Sequence, residues 1–260
     1  MNQSKDQMAM NLCYTFLMCV NKLTPFVGDA VKSVLAQTDP DFDFIIVANN
    51  CKEDLWQFLN GFHDPRIKLY RTRIGQLSFN LNYGLNLAKD GYVLRMDADD
   101  IALPDRLKLT KLLLSDHGYP DLLGGTSILI NTSGQEIGHE GSSGNDAEIK
   151  ASFWWKNRII HPACCFKVSS VMSLGGYCSG FMSEDYDLWL RACRSKTFTF
   201  CNVDVPFIKY RINPGQARGK SLAYAEVAGD MLREALMLNS FKMLLGSVLL
   251  CFKKYIKGKD

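Results

Sequence analysis

Four short apolar runs recur in the first 100 residues, and stretches of helical periodicity separate them. The runs are Tyr14 to Val20 (YTFLMCV), Phe42 to Ala48 (FDFIIVA), Ile67 to Thr72 and Tyr92 to Met96. Near-continuous apolar runs of this length read as strands buried on both faces, the pattern of a parallel sheet. Between them, Phe26, Ala30, Val31, Val34 and Leu35 share one helical face, with Thr24 expected as N-cap and Pro25 at the first helical position. Asp39-Pro40 closes that helix. Glu53 to Asn60 reads as a second helix, and Ser78 to Ala88, spaced by Leu81 and Leu85, as a third. The order β-α-β-α-β-α-β predicts an α/β fold, a Rossmann-like and mostly parallel sheet with helices on both faces. Ligands of open α/β sheets lie beyond the C-terminal ends of the strands. Here those ends are Val20-Asn21, Ala48-Asn49-Asn50 and Asp97-Ala98-Asp99.

The fourth strand runs straight into Asp97-Ala98-Asp99-Asp100, and the chain breaks at Ile101-Ala102-Leu103-Pro104. Like charges this close repel, and burying one unpaired is costly. A divalent cation at the strand end removes the conflict. Hard oxygen ligands suit Mg²⁺ or Mn²⁺, which in turn hold phosphate oxygens. The alternative is a solvated acidic turn that caps the helix after Pro104. Neither a G-x-G-x-x-G nor a Walker A sequence is present, so phosphates would need another holder, and a metal on the carboxylates is available.

The net charge of +3 gives no argument for a nucleic-acid partner. Nine cysteines include no C-x-x-C pair, which argues against zinc. The first residues, MNQSKDQMAMN, contain no apolar signal core. The expectation is a cytoplasmic protein with buried, reduced thiols.

Beyond Pro104 a helix is expected through Leu114, a strand over Leu122 to Ile130, a turn at Asn131 to Gly134, and a short run at Gln135 to Gly138. Gly141 to Asp146 (GSSGND) is the most loop-like stretch, either a mobile loop near the site or an inert connection. His161-Pro162 precedes a strand-like ACCFKV. Ser183 stands as N-cap ahead of Glu184-Asp185-Tyr186-Asp187-Leu188-Trp189, where the helix dipole favours negative charge.

These pieces, in this order, resemble glycosyltransferase family 2, the inverting family with the GT-A nucleotide-sugar fold. The resemblance runs from about residue 12 to 215. It rests on AVKSVLAQTDPDFD (Ala30 to Asp43), Asn80 to Asn86 with Ala88, Met96 to Leu107, His161-Pro162, Gly175-Gly176-Tyr177, Glu184 to Arg191, and Tyr210-Arg211. It implies an enzyme moving a sugar from a nucleoside diphosphate, weakly favoured as UDP, to a hydroxyl of a glycan or lipid-linked acceptor. By the same resemblance, Asp97 would contact the ribose or share the metal, and Asp99 would bind it. Asp185 would be the general base, with Glu184 as the alternative. Asn21, Asn49, Asn50 and Arg211 would face the nucleotide diphosphate, and His161, Asp100 and Tyr177 the acceptor. One departure is Asn49-Asn50, where the family commonly has an Asp pair.

The expected organisation is a catalytic domain over 12–218, with a nucleotide half (12–100) and an acceptor half (101–218), and a helical extension over 219–260. In that extension Met237, Phe241, Leu244, Leu245, Val248, Phe252, Tyr255 and Ile256 share one helical face. Asn239, Lys242, Gly246, Lys253 and Lys257 share the other, interrupted by Leu250. This reads as a basic amphipathic helix lying on the cytoplasmic face of a membrane. The alternative is a helix packed on the domain or a dimer contact. Surface-polysaccharide or lipopolysaccharide assembly is the setting the resemblance implies. Two rivals are a sugar nucleotidyltransferase, whose Gly-rich basic loop is missing after Val20, and a non-catalytic scaffold of the same fold.

Overall fold

The structure is a computed structural model, and it describes residues 12–178, 180–213 and 220–257, with side chains through 252. The expectations for residues 1–11, for the 218/219 boundary, and for the side chains of Lys253, Lys254, Tyr255, Ile256 and Lys257 and of the last three residues lie outside these.

The first half follows the apolar runs. Strands β1 (Cys13–Val20), β2 (Asp43–Asn49), β3 (Ile67–Thr72) and β4 (Gly91–Met96) are parallel neighbours in the order β3-β2-β1-β4. Helices α1 (Val27–Leu35), α2 (Glu53–Asn60) and α3 (Leu77–Leu87) connect them. Alternate residues of β1 enter opposite cores. Phe16, Met18 and Val20 pack with α1 and α2, whereas Leu17 and Cys19 pack with α3. Burial on both faces is why β1 and β2 could not alternate polar and apolar residues.

The chain winds outward from β1 to β3 and then returns to the other side of β1 as β4. That reversal opens a crevice at the C-terminal ends of β1 and β4. Register aligns the ends: Val20 is level with Ala48, and Met18 with Met96.

The second half is mixed. β8 (Cys164–Lys167) pairs antiparallel with β4 and with β6 (Leu122–Ile130). β9 (Phe200–Arg211) runs parallel to β6, and β7 (Glu136–Glu140) antiparallel to it. Ile101–Ala102, expected only as a break, form the short strand β5 on the far edge, paired with Ile208 and Lys209 of β9. Helix α4 (Arg106–Asp116) joins the α1 and α2 face through Leu107 and Leu114. Helix α5 (Asp146–Ser152) was not anticipated; Asn145 and Glu148 form its capping box. The GSSGND stretch ahead of it is pinned, with Gly144 pairing both ways with Asn202. Helices α6 (Val168–Ser173), α7 (Glu184–Arg194) and α8 (Ser221–Leu238) cover the α3 face.

Three local expectations are corrected. Helix α1 starts at Val27, because Thr24 to Phe26 close a separate turn: Thr24 Oγ1 accepts from Phe26 N–H, and Thr24 O from Val27 N–H. Ser183 holds the N-cap position of α7 but makes no side-chain cap bond. All nine cysteines are free, yet only Cys19, Cys164 and Cys165 are buried, and Cys178 and Cys251 are exposed.

Asn239, in the left-handed region at φ 48°, turns α8 into α9 (Phe241–Lys257). The two helices form a hairpin. Gly246 lies against the Trp154 carbonyl and Met231, and Ser247 Oγ donates to Ala228 O at 2.7 Å. The face that carries Gly246 and Leu250 is therefore the packed one. Phe241, Leu244, Leu245, Val248, Leu249 and Phe252 are exposed. No helix among the described residues is long and apolar enough to cross a membrane.

Candidate active site

A cleft of about 990 Å³ opens at the reversal point of the sheet. Its floor is the end of β4. Asp97 is a third exposed and accepts from Arg95 Nη2 at 2.6 Å. Arg95 is itself 1% exposed and lines the cleft, with its Nη1 donating to the Met96 carbonyl. Asp99 also lines the cleft, and its Oδ2 accepts from Asn213 Nδ2 at 2.7 Å. Burial, and then the nearby Asp97, push the Asp99 carboxyl above its ordinary range.

Asp100 does not reach the acceptor side. It is fully buried, and its Oδ1 accepts from the Arg211 backbone N–H at 2.8 Å. Burial, with Asp97 and Asp99 beside it, raises its carboxyl well above the usual range. Arg211 is corrected as well. It is buried, donates through Nε to the Asp99 carbonyl at 2.9 Å and through Nη1 to the carbonyls of Asn131 and Thr132, and stacks 4.2 Å from the Phe26 ring. It braces the acidic turn and does not line the cleft.

The residues at the floor fit a hard divalent cation. Asp97 and Asp99 both line the cleft, and burial first, with Asp97 nearby second, raises the Asp99 carboxyl. Mg²⁺ and Mn²⁺ suit one or two carboxylates, with substrate phosphates and waters completing the shell. Among the described residues no group of three or more His, Cys, Asp or Glu is set to hold a metal by itself.

The opposite wall is the N-terminus of α7. Glu184, 7% exposed, and the half-buried Asp185 both line the cleft. Burial, and then Asp185 beside it, push Glu184 up to about 7. Burial raises Asp185 to about 6, against the opposing pull of the backbone N–H groups of α7. His161 lies between the two walls, Nδ1 3.8 Å from Glu184 Oε1. Burial first, and then Arg95, hold it well below its ordinary range, so the imidazole is neutral. Its Nε2 shares a 2.7 Å hydrogen bond with the Tyr177 hydroxyl. Tyr177 itself is buried behind His161 and does not line the cleft, contrary to its expected place on the acceptor side. Asn82 holds it there, accepting from Tyr177 N–H and donating to Tyr177 O, each at 2.8 Å.

Asn21 and Lys22 are shared between the cleft and a smaller annex of about 340 Å³, which Leu23, Asn50, Lys52 and Asp54 complete. Asn50 closes β2 at φ 45°, a left-handed conformation that Asn tolerates. Asn49 goes elsewhere: it is buried, and its Nδ2 donates to Gly75 O at 3.2 Å. Several cleft residues had not been expected at the site, among them Arg95, Lys22, Asn213, and Ala223 and Val227 of α8, and Ser183 had been read only as a helix cap. Arg95 carried a signal, a charge inside an otherwise apolar strand. The α8 residues carried none.

The model of glycosyl transferase family 2 matches residues 16–174. The O-antigen biosynthesis glycosyltransferase WbnJ of Escherichia coli is 36% identical, over 85% of this chain and 87% of that protein. The E. coli UDP-Gal:alpha-D-GlcNAc-diphosphoundecaprenol beta-1,3-galactosyltransferase is 28% identical, over 71% of this chain and 70% of its own length. Among solved structures, Staphylococcus aureus TarS 1–349 in complex with UDP-GlcNAc superposes with a TM-score of 0.72. That match is 13% identical and covers 95% of this chain and 74% of that one, and it shows the shared GT-A fold.

Proposed function

The chain belongs to glycosyl transferase family 2, and from that premise we propose that it moves a sugar from a uridine diphosphate donor to a glycan hydroxyl, with inversion, in bacterial surface-polysaccharide assembly. Its relatives are named for O-antigen synthesis and for transfer from UDP-Gal, and the superposed TarS was solved with UDP-GlcNAc. The observation that carries the reading is the meeting of two acidic pairs across one cleft: Asp97 and Asp99 at the end of β4, Glu184 and Asp185 at the start of α7.

The two pairs suit different tasks. Asp97 and Asp99 would hold Mg²⁺ or Mn²⁺, which when bound stabilises charge on the departing diphosphate. Asn21, Lys22 and Asn50 border the annex that would take the nucleoside. Asp185, whose carboxyl burial raises to about 6, takes the proton of the acceptor hydroxyl. The acceptor oxygen then bonds to the anomeric carbon as the bond to the diphosphate breaks. One base and one displacement invert that centre. Glu184, more deeply buried and beside neutral His161, supports Asp185 as its neighbour.

The exposed apolar face of α9 supports a lipid-linked acceptor reached at the cytoplasmic face of an anionic membrane. Residues 241–260 carry five lysines and one acidic residue, Asp260. An apolar stripe with basic flanks suits the headgroup boundary.

The test is transfer with a panel of UDP-sugars, Mn²⁺ and a diphospholipid-linked sugar, with the product's anomeric configuration read by NMR. The reading expects one donor to give inverted product and Asp185→Asn to abolish it. Retained configuration, or no transfer from any UDP-sugar, would contradict it.

A further inference from the structure

The segment that leads into α7 is held by a side chain from another helix. Ser183 sits at the N-cap position, yet its hydroxyl donates outward to Glu226 Oε2 at 2.7 Å. The same carboxylate accepts the backbone N–H of Phe181 at 2.9 Å and of Met182 at 3.0 Å. Three donors on consecutive residues thus converge on one side chain from α8.

The Phe181 side chain is 77% exposed. Gly180, at φ 87°, folds the chain so tightly that a Cβ there would lie 2.6 Å from the Glu184 nitrogen. The platform behind Glu226 is firm. Met231 and Ala235 of α8 are buried, and Arg233 Nη1 reaches the buried Asp187 of α7 at 2.7 Å. Ala223 and Val227, flanking Glu226 on α8, line the same cleft as Met182, Ser183, Glu184 and Asp185.

We propose that Glu226 is a positioning residue for transfer: its carboxylate clamps the Phe181 and Met182 backbone and the Ser183 hydroxyl, and so sets how far the Glu184–Asp185 pair projects into the cleft. This rests on reading that pair as the source of the base. Hydrogen bonds to a carboxylate are about twice as strong as neutral ones. In glutamine the amide oxygen can take the place of Oε2 and accept from Met182 N–H and the Ser183 hydroxyl, while its NH₂ faces the Phe181 N–H; alanine leaves all three donors without Glu226.

The clamp is tested in the full chain with Glu226→Ala and Glu226→Gln, by transfer kinetics across pH and by hydrogen exchange at Phe181 and Met182. Glu226→Ala should lower kcat ~30-fold, the scale of an ångström-level misplacement, and leave the donor KM within about twofold. Glu226→Gln should fall between the two, ~3- to 10-fold below wild type, since one of the two acceptor oxygens survives. The acid limb of the kcat profile should move to lower pH in Glu226→Ala, because a loosened pair is better solvated. The Phe181 and Met182 amides should exchange faster in that variant. Unchanged exchange would overturn the clamp itself. Faster exchange with unaltered kcat and acid limb would overturn its role in positioning. Full activity in both Asp185→Asn and Glu184→Gln would refute the base reading separately.

Discussion

Asp185→Asn should remove activity and at the same time stabilise the protein at alkaline pH. An aspartate that titrates at about 6 when folded, against about 3.9 when unfolded, disfavours the folded state once ionised. The full difference corresponds to about 3 kcal/mol. Half-burial and coupling to Glu184 bring the expected gain from a neutral isostere to about 1–2 kcal/mol. At this chain length that raises Tm by about 3–6 °C. The sign follows from the direction of the shift. Because the folded carboxyl holds its proton more tightly, the penalty is complete above the folded value and shrinks as pH falls from about 6 to about 4. Calorimetry of both proteins at pH 8, 5 and 4 reads this directly. The gain should be largest at pH 8, about half as large at pH 5 and nearly absent at pH 4, while transfer falls by ~10²-fold or more. A lower Tm for the variant at pH 8, or an equal gain at pH 4, would refute the argument.

Arg211→Met should destabilise the fold by about 1–3 kcal/mol, since it removes a charged donor from the half-buried carbonyls of Asp99 and Asn131 and from that of Thr132; urea unfolding reads it. Asn213→Ala removes the hydrogen bond on Asp99 Oδ2 and should change the apparent Mn²⁺ affinity by ~10-fold, read by titrating the metal dependence of transfer. Gly246→Val forces a side chain against the Trp154 carbonyl and Met231 and should cost about 1–3 kcal/mol, with earlier proteolysis between α8 and α9. Replacing Leu245, Leu249 and Phe252 together by Ser should reduce flotation with anionic vesicles by at least ~30-fold without lowering Tm, since all three are exposed.

What the sequence made legible follows from how local each constraint is. β1, β2 and β4 were readable because burial on both faces demands near-continuous apolar runs. Asp97 and Asp99 stood out because adjacent carboxylates conflict wherever they are placed. Asn49 and Asn50 could not be told apart in advance: the strand turns one toward Gly75 and the other toward the annex. Arg211 looked available for diphosphate because its backbone acceptors, at Asp99, Asn131 and Thr132, lie about 80 to 112 residues away. Ser183 was well suited to cap α7 itself, but a glutamate 43 residues on offers a charged acceptor. Helix α5 could have been found from the Asn-x-x-Glu spacing at Asn145. Gly246 stood among polar residues in the sequence, yet it is where α9 approaches Met231 of α8 closely, while Lys242 stays exposed.

The most direct test of a metal-assisted UDP-sugar site at the end of β4 is calorimetric titration of UDP into the protein, with and without Mn²⁺, for wild type and Asp99→Ala. The account predicts binding that strengthens at least ~10-fold with Mn²⁺ in wild type, and no metal dependence in Asp99→Ala. Equal binding with and without metal in wild type, or metal-enhanced binding that survives in Asp99→Ala, would contradict it.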